Sequence, residues 1–200
     1  MAHEIELKYS LSEGIPPEQV FSAVSEYIIG EIKTLEMHSK YFDTMDNFLY
    51  LSRASLRLRR ENEKCVVTVK TPKNSEGALS RRGEWQVEAE SISDALPYLE
   101  KEGCPANILT IAREELCTVA EFCFTRRFAH IKTNQFEAEL CVDIGYLSPN
   151  GIKKTPLREV EIELISGDVN ALCKFGDDLS KRFSMRSETL SKLTRARNLK

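Results

Sequence analysis

Charged side chains recur at every second position of short apolar segments from one end of the chain to the other. Glu4-Ile5-Glu6-Leu7-Lys8 sets the pattern, and Leu56-Arg57-Leu58-Arg59, Val67-Thr68-Val69-Lys70, Arg82-Gly83-Glu84-Trp85-Gln86, Glu137-Ala138-Glu139-Leu140 and Glu159-Val160-Glu161-Ile162-Glu163 repeat it. A period of two belongs to a β-strand, whose successive side chains point to opposite faces. Each segment therefore has one apolar and one charged face. A single such strand needs nothing more than an antiparallel sheet with one solvated side. The set is more demanding, because its polar positions are dense in Glu and Arg rather than mixed with Ser, Thr and Gln. If the sheet curls with its charged face inward, it encloses a wet lumen holding both signs of charge. Unpaired buried charge costs several kcal/mol per ion, so such a lumen needs salt pairs, water, metal ions or an anionic ligand.

The remaining composition limits the alternatives. The chain has 200 residues and reads as a single domain over 1–200, long enough to bury roughly 70% of its unfolded surface. Its 28 Lys and Arg are offset by 31 Asp and Glu, for a formal net charge of −3. It lacks the global basic field of a non-specific nucleic-acid binder, and no nucleic-acid partner is expected. No stretch approaches the roughly 18 apolar residues of a membrane span. Met1-Ala2-His3-Glu4 carries acid where an export signal needs a basic and then an apolar run. The six cysteines form no C-x-x-C pair and have no histidine at zinc spacing, so reduced thiols in a cytoplasmic protein are expected, without zinc and without a cysteine nucleophile.

Strands are predicted at 4–10, 40–44, 55–61, 64–71, 81–90, 119–131, 135–145 and 157–165. A helix opens at Pro16-Pro17 and ends near Gly30, two short helices fill 93–116, an amphipathic helix follows at 168–183, and a last short helix lies near 189–197. The fold class is α+β, built on a large antiparallel sheet, and eight strands are enough to close such a sheet into a barrel.

Carboxylate pairs two residues apart, Glu4/Glu6 and Glu161/Glu163, offer hard oxygen ligands for Mg²⁺ or Mn²⁺. The forked guanidiniums of Arg57, Arg59 and Arg82, with Lys8 and Lys70, suit phosphate oxygens. Acids holding a divalent ion opposite bases holding phosphate form the layout of metal-dependent phosphoryl transfer.

These residues resemble a known family. Glu4-Ile5-Glu6-Leu7-Lys8 is similar to the ExExK signature of the CYTH superfamily, the triphosphate tunnel metalloenzymes. The likeness continues in order through Tyr41-Phe42-Asp43-Thr44, Leu56-Arg57-Leu58-Arg59, Thr68-Val69-Lys70, Arg82-Gly83-Glu84, Val142-Asp143-Ile144-Gly145, Glu159 to Glu163, and Leu190-Ser191-Lys192-Leu193-Thr194-Arg195. The resemblance implies an eight-stranded antiparallel β-barrel forming a triphosphate tunnel, with helices packed outside. It implies metal held by Glu4 and Glu6 on one side and Glu161 and Glu163 on the other, with Glu139 and Asp143 as further acids of the wall. Lys8, Arg57, Arg59, Lys70, Arg82, Arg126, Lys192 and Arg195 would line the path of a small-molecule triphosphate. Strand register decides between Arg126 and its neighbour Arg127. One of Glu159, Glu161 and Glu163 would take a proton from the attacking water, with Lys8 beside them. The implied activity is hydrolysis of inorganic triphosphate to pyrophosphate and phosphate, by a monomer or homodimer.

The same tunnel also serves class IV adenylate cyclases, thiamine or nucleoside triphosphatases and RNA-capping enzymes, and a non-catalytic polyphosphate-binding module is a further alternative. His38-Ser39-Lys40-Tyr41-Phe42 is only a loose echo of the His-Phe motif of the cyclase-like branch. Trp85 falls on the apolar side of its strand and reads as core. His3 and His130, without spacing partners, read as surface or wall residues, Lys153-Lys154 as surface charge, and 73–82 as a polar loop.

Overall fold

The alternating segments become strands of a single sheet in a computed structural model that describes residues 2–72, 74–149 and 154–199. The readings for Lys73, Lys153 and the side chain of His3 lie outside the described residues. In chain order the strands are β1 (Ala2–Ser10), β2 (Ile28–Asp43), β3 (Ser55–Glu61), β4 (Lys64–Lys70), β5 (Asn74–Glu76), β6 (Leu79–Glu88), β7 (Cys117–Lys132), β8 (Phe136–Ser148), β9 (Thr155–Gly167) and β10 (Arg186–Ser187). All pairings are antiparallel, in the order β1-β9-β8-β7-β2-β3-β4-β6. β1 pairs with β9 through Lys8↔Glu161 and with β6 through Glu4↔Arg82. That double pairing closes an eight-stranded barrel, to which the short β5 and β10 are added at the margins.

Apolar strand faces point outward, and helices cover them because that surface would otherwise meet water. On one side Leu7, Tyr9, Leu140, Val160 and Ile162 pack under α1 (Pro17–Ala23) and α5 (Val169–Arg182) through Val20, Phe21, Leu172 and Leu179. On the other, Leu56, Val67, Val69 and Trp85 meet α2 (Phe48–Leu51), α3 (Ile92–Lys101) and α4 (Ala106–Ala112). Trp85 is core, as its place on the strand predicts.

Several boundaries change, among them the expected loop at 73–82, into which β5 and the start of β6 extend. The first helix ends at Ala23, not Gly30, and the following strand begins at Ile28 rather than at residue 40. Val24 leaves the helical region at φ −123, and Gly30, at φ +77, sits where the β2–β7 register shifts between Ile29 and Lys33. That bulge breaks the alternation and hides the first half of β2. The expected loop between Gly145 and Pro156 is also shorter, since β8 runs to Ser148 and β9 starts at Thr155.

The interior is not charged throughout. Met37, Tyr41, Ala120, Phe122, Phe124, Leu147 and Leu157 form an inward-facing apolar cluster. It receives Leu193 and Ala196 of the terminal helix α6 (Lys192–Arg197). Gly145 stands within this cluster's walls, opposite Phe124, where an added Cβ would lie 2.3 Å from the Cys123 carbonyl oxygen. Only a residue without a side chain allows β7 and β8 to approach there. All six cysteines are free thiols. Among the described residues no helix is long and apolar enough to cross a membrane.

Candidate active site

A cavity of about 380 Å³ occupies the polar part of the barrel. β1 supplies Glu4, Glu6 and Lys8, which are 7%, 4% and 4% exposed although charged. They face inward because Ile5, Leu7 and Tyr9 take the alternate positions. Arg57 and Arg59 of β3, Lys70 of β4, Arg82 of β6, Arg126 of β7, Glu139 of β8, Glu161 and Glu163 of β9 and Lys192 of α6 also border the space. Asp143, Glu159 and Arg195 do not border it. Asp143 and Glu159 are fully buried, with Lys192 lying against both.

Register settles the choice between adjacent arginines. Arg126 points inward, where Nε and Nη2 each donate to Asp143 at 2.7 Å and Nη2 donates to Glu161 at 2.6 Å. Arg127 points outward, pairs with Glu18 of α1 and lies 5.5 Å from the Phe21 ring centre.

The charges form two paired groups and a more weakly compensated cationic wall. Around β1 and β6, Lys70 donates to Glu4 at 2.7 Å, Arg82 bonds the same carboxylate, and Lys8 and Ser80 each donate to Glu6 at 3.1 Å. Burial alone would raise the Glu4 pKa, but the charges of Lys70 and Arg82 hold it well below the usual carboxylate range. Burial likewise opposes ionisation of Lys8, which Glu6 and Glu161 more than offset, so its pKa rises.

Around α6, Asp143, Glu159 and Glu161 bring three carboxylates together, with ligand oxygens within 4.8 Å of one another. Lys192 Nζ touches all of them, at 3.0 Å, 2.5 Å and 2.7 Å respectively. Arg195 bonds Glu159 from the next turn of α6. Burial pushes the Glu161 pKa up, but Lys192, Lys8 and Arg126 pull it far below normal. This is a compact hard-oxygen donor set of the kind that suits a small divalent cation, and it is here neutralised by the Lys192 ammonium and the Arg126 and Arg195 guanidiniums. Glu4, Glu6, Glu139 and Glu163 stand apart from the trio, although Glu163 is the cross-strand partner of both Glu6 and Glu139.

The cationic wall lies on β3. Arg57 Nη2 donates to Thr68 at 3.0 Å, and Arg59 pairs with Glu61. Among the described residues, the Nε of each arginine is buried without a hydrogen-bond partner. Burial, with Arg57 and Arg126 nearby, pushes the Arg59 pKa down to about 10. A guanidinium whose pKa falls sits in a region short of negative charge. On the acidic side the reverse holds: burial first, then the Glu4 carboxylate, push Glu163 up to about 7.

Sequence reasoning gives no site role to Phe122, Phe124 or Arg197, and Tyr41, Asp43 and Glu84 enter only as parts of matching motifs without a role of their own. Tyr41 borders the cavity; burial favours its neutral form, but Arg57, Lys70 and Lys192 outweigh it and lower its pKa. Parity along β2 and β7 would have placed Tyr41, Phe122 and Phe124 inside once one inward residue was fixed. Glu84 reaches Lys70 at 3.0 Å. Asp43 and Arg197 form a pair just outside the cavity, at 2.7 Å.

Comparison with known proteins agrees with this geometry. The CYTH domain family matches residues 2–196. A curated relative, an inorganic triphosphatase of Haemophilus influenzae, is 29% identical over 187 residues, covering 90% of this chain and 50% of its own length. The chain thus spans about half of the curated relative it matches. Among solved structures, a Hippeastrum protein named as an adenylyl cyclase and described as having a dominant triphosphatase activity superposes with a TM-score of 0.68 at 21% identity, covering 98% of this chain and 95% of that one. A Bacillus halodurans protein, named as a candidate adenylate cyclase, gives 0.55 at 25% identity over 98% of both chains.

Proposed function

This chain belongs to the CYTH domain family, and we propose that it hydrolyses inorganic triphosphate to pyrophosphate and phosphate with Mg²⁺ or Mn²⁺, as a single domain. One observation carries the reading: the barrel cavity is bordered by the under-compensated Arg57 and Arg59 and by Glu161, behind which Asp143 and Glu159 complete a compact trio of carboxylates. The named activity of the Haemophilus influenzae relative points the same way.

Arg57, Arg59, Lys70 and Arg82 grip the phosphate oxygens, with the forked guanidiniums bonding two at once. Lys8, Arg126, Lys192 and Arg195 extend that grip toward the acids. Asp143 and Glu161, with Glu159 behind them, would hold a divalent cation, and Glu4, Glu6, Glu139 and Glu163 complete the acidic wall. A cation held there would supply Lewis-acid stabilisation of charge on the phosphate oxygens. Fixed donors aimed at those oxygens stabilise the same developing charge without reorganising. Glu163 borders the open space, whereas Glu159 is held by Lys192 and Arg195 away from it. These contacts favour Glu163 as the carboxylate that orients the attacking water, with Lys8, across the strand pair from Glu161, steadying the acids around it.

The test is product analysis. Incubation with Mg²⁺ or Mn²⁺ and tripolyphosphate, ATP or thiamine triphosphate is followed for phosphate, pyrophosphate and cyclic AMP. Turnover of tripolyphosphate well above ATP, with equal phosphate and pyrophosphate, is the expected result. Cyclic AMP from ATP, or binding without product under either metal, would overturn it.

A further inference from the structure

α6 delivers Lys192 and Arg195 to the site, yet it is a single short helix at the end of the chain. Six residues do not hold a helix in water without tertiary support. Ser191 caps it by accepting from the Thr194 amide at 3.0 Å, which fixes the first turn but does not tie it to the barrel. Lys192 and Arg195 are tied to Asp143, Glu159, Glu161 and Glu188. On the triphosphatase reading they must exchange these acids for phosphate, so their ion pairs cannot anchor the helix through a turnover, and only the packing of Leu193 and Ala196 and contacts away from the substrate are left to do so.

Arg197 is different. Its Nη2 donates to Asp43 Oδ2 at 2.7 Å, its Nη1 donates to Asn47 Oδ1 at 2.8 Å, and its guanidinium carbon lies 4.6 Å from the Tyr50 ring centre. Asp43 is almost fully buried and is itself fixed by backbone amides: Oδ1 accepts from Thr44 at 2.9 Å and Leu49 at 2.8 Å, and Oδ2 accepts from Tyr50 at 3.1 Å. The carboxylate thereby joins the end of β2 to α2 and then binds α6. Neither residue of the pair borders the cavity.

We propose that Asp43 and Arg197 are positioning residues: a substrate-independent clamp that keeps α6 seated while Lys192 and Arg195 change partners from carboxylate to phosphate. The proposal rests on the triphosphatase reading for what Lys192 and Arg195 do, but the clamp itself is read independently of turnover. Breaking it leaves the phosphate-binding side chains present and undelivered, so the loss falls on substrate binding.

The variants are Arg197→Met, Arg197→Lys and Asp43→Asn, the last retaining an oxygen to cap α2. Each is measured for KM and kcat with Mg²⁺-tripolyphosphate, for tripolyphosphate binding by calorimetry, and for hydrogen exchange along the chain with and without Mn²⁺-tripolyphosphate. Loss of a charge-assisted hydrogen bond predicts a KM about tenfold higher in Arg197→Met and Asp43→Asn, with kcat within about threefold. It also predicts about tenfold faster exchange confined to the α6 amides, and partial recovery of both in Arg197→Lys. Unchanged KM and α6 exchange, or faster exchange spread evenly over the barrel, would overturn the clamp. If wild type does not turn over tripolyphosphate, the triphosphatase reading falls alone. Calorimetry and exchange then decide the clamp, and equal binding by wild type and Arg197→Met overturns it.

Discussion

Lys192 Nζ lies 2.5 Å from Glu159 Oε2, at the centre of a carboxylate trio in which a divalent cation would sit. Ammonium and metal cannot share that position, so metal uptake and release of Lys192 toward the phosphate wall are one exchange. Lys192→Met therefore has opposite effects on the two ligands. Mn²⁺ affinity without substrate, read from the free-ion signal in electron paramagnetic resonance, rises about tenfold, while KM for tripolyphosphate rises by at least as much. Parallel weakening of both would show that the ammonium does not stand in the metal's place.

Glu161→Gln removes one oxygen ligand with little change of shape. Metal-dependent turnover falls by about a hundredfold or more, since the charge stabilisation lost is several kcal/mol. The variant also melts lower than wild type, because Lys192, Arg126 and Lys8 lose a buried counter-charge, and breaking such pairs costs about 3–5 kcal/mol. Wild-type rates in Glu161→Gln would remove it from the metal site.

Arg59 behaves in the reverse sense. Burial, Arg57 and Arg126 already penalise its charge, so Arg59→Met leaves the melting temperature of the ligand-free protein unchanged or higher. The rise in melting temperature that tripolyphosphate gives wild type shrinks in the variant, and KM rises about tenfold. An unchanged KM would place Arg59 outside the substrate path.

The strand alternation was enough to separate the charged from the apolar faces and to put Glu4, Glu6, Lys8, Arg57, Arg59, Lys70 and Arg82 on the charged one, but that this face turns inward followed only from the family resemblance. A period of two survives any tertiary context in which one face is buried. Arg126 against Arg127 was not legible, because both neighbours are the same residue type and only the β7 register separates them. The apolar end of the lumen was hidden as well: Phe122 and Phe124 look like outward core residues until Leu193 and Ala196 of α6 are seen to pack on them from inside. The Asp43–Arg197 pair spans 154 positions, and no local pattern announces a contact of that separation.

Metal-free protein has a pH dependence of stability that Glu163 sets near neutrality. Its folded pKa, pushed up to about 7 by burial and Glu4, exceeds the ordinary glutamate value of 4.5, so the folded state binds more protons than the unfolded state between those values. Stability is then full below about 4.5 and is lost as pH rises through about 7. In EDTA the melting temperature falls from pH 5 to pH 8, and Glu163→Gln flattens that slope. A wild-type slope retained in Glu163→Gln would assign the titration elsewhere.

Anomalous diffraction from crystals soaked with Mn²⁺ and tripolyphosphate tests the central claim, that acids and bases on opposite walls of one barrel hold metal and triphosphate together. The account predicts a manganese peak within bonding distance of Asp143 and Glu161, with phosphorus density running past Arg57 and Arg59. Manganese and phosphate bound outside the barrel, with Lys192 still seated on Glu159, would contradict it.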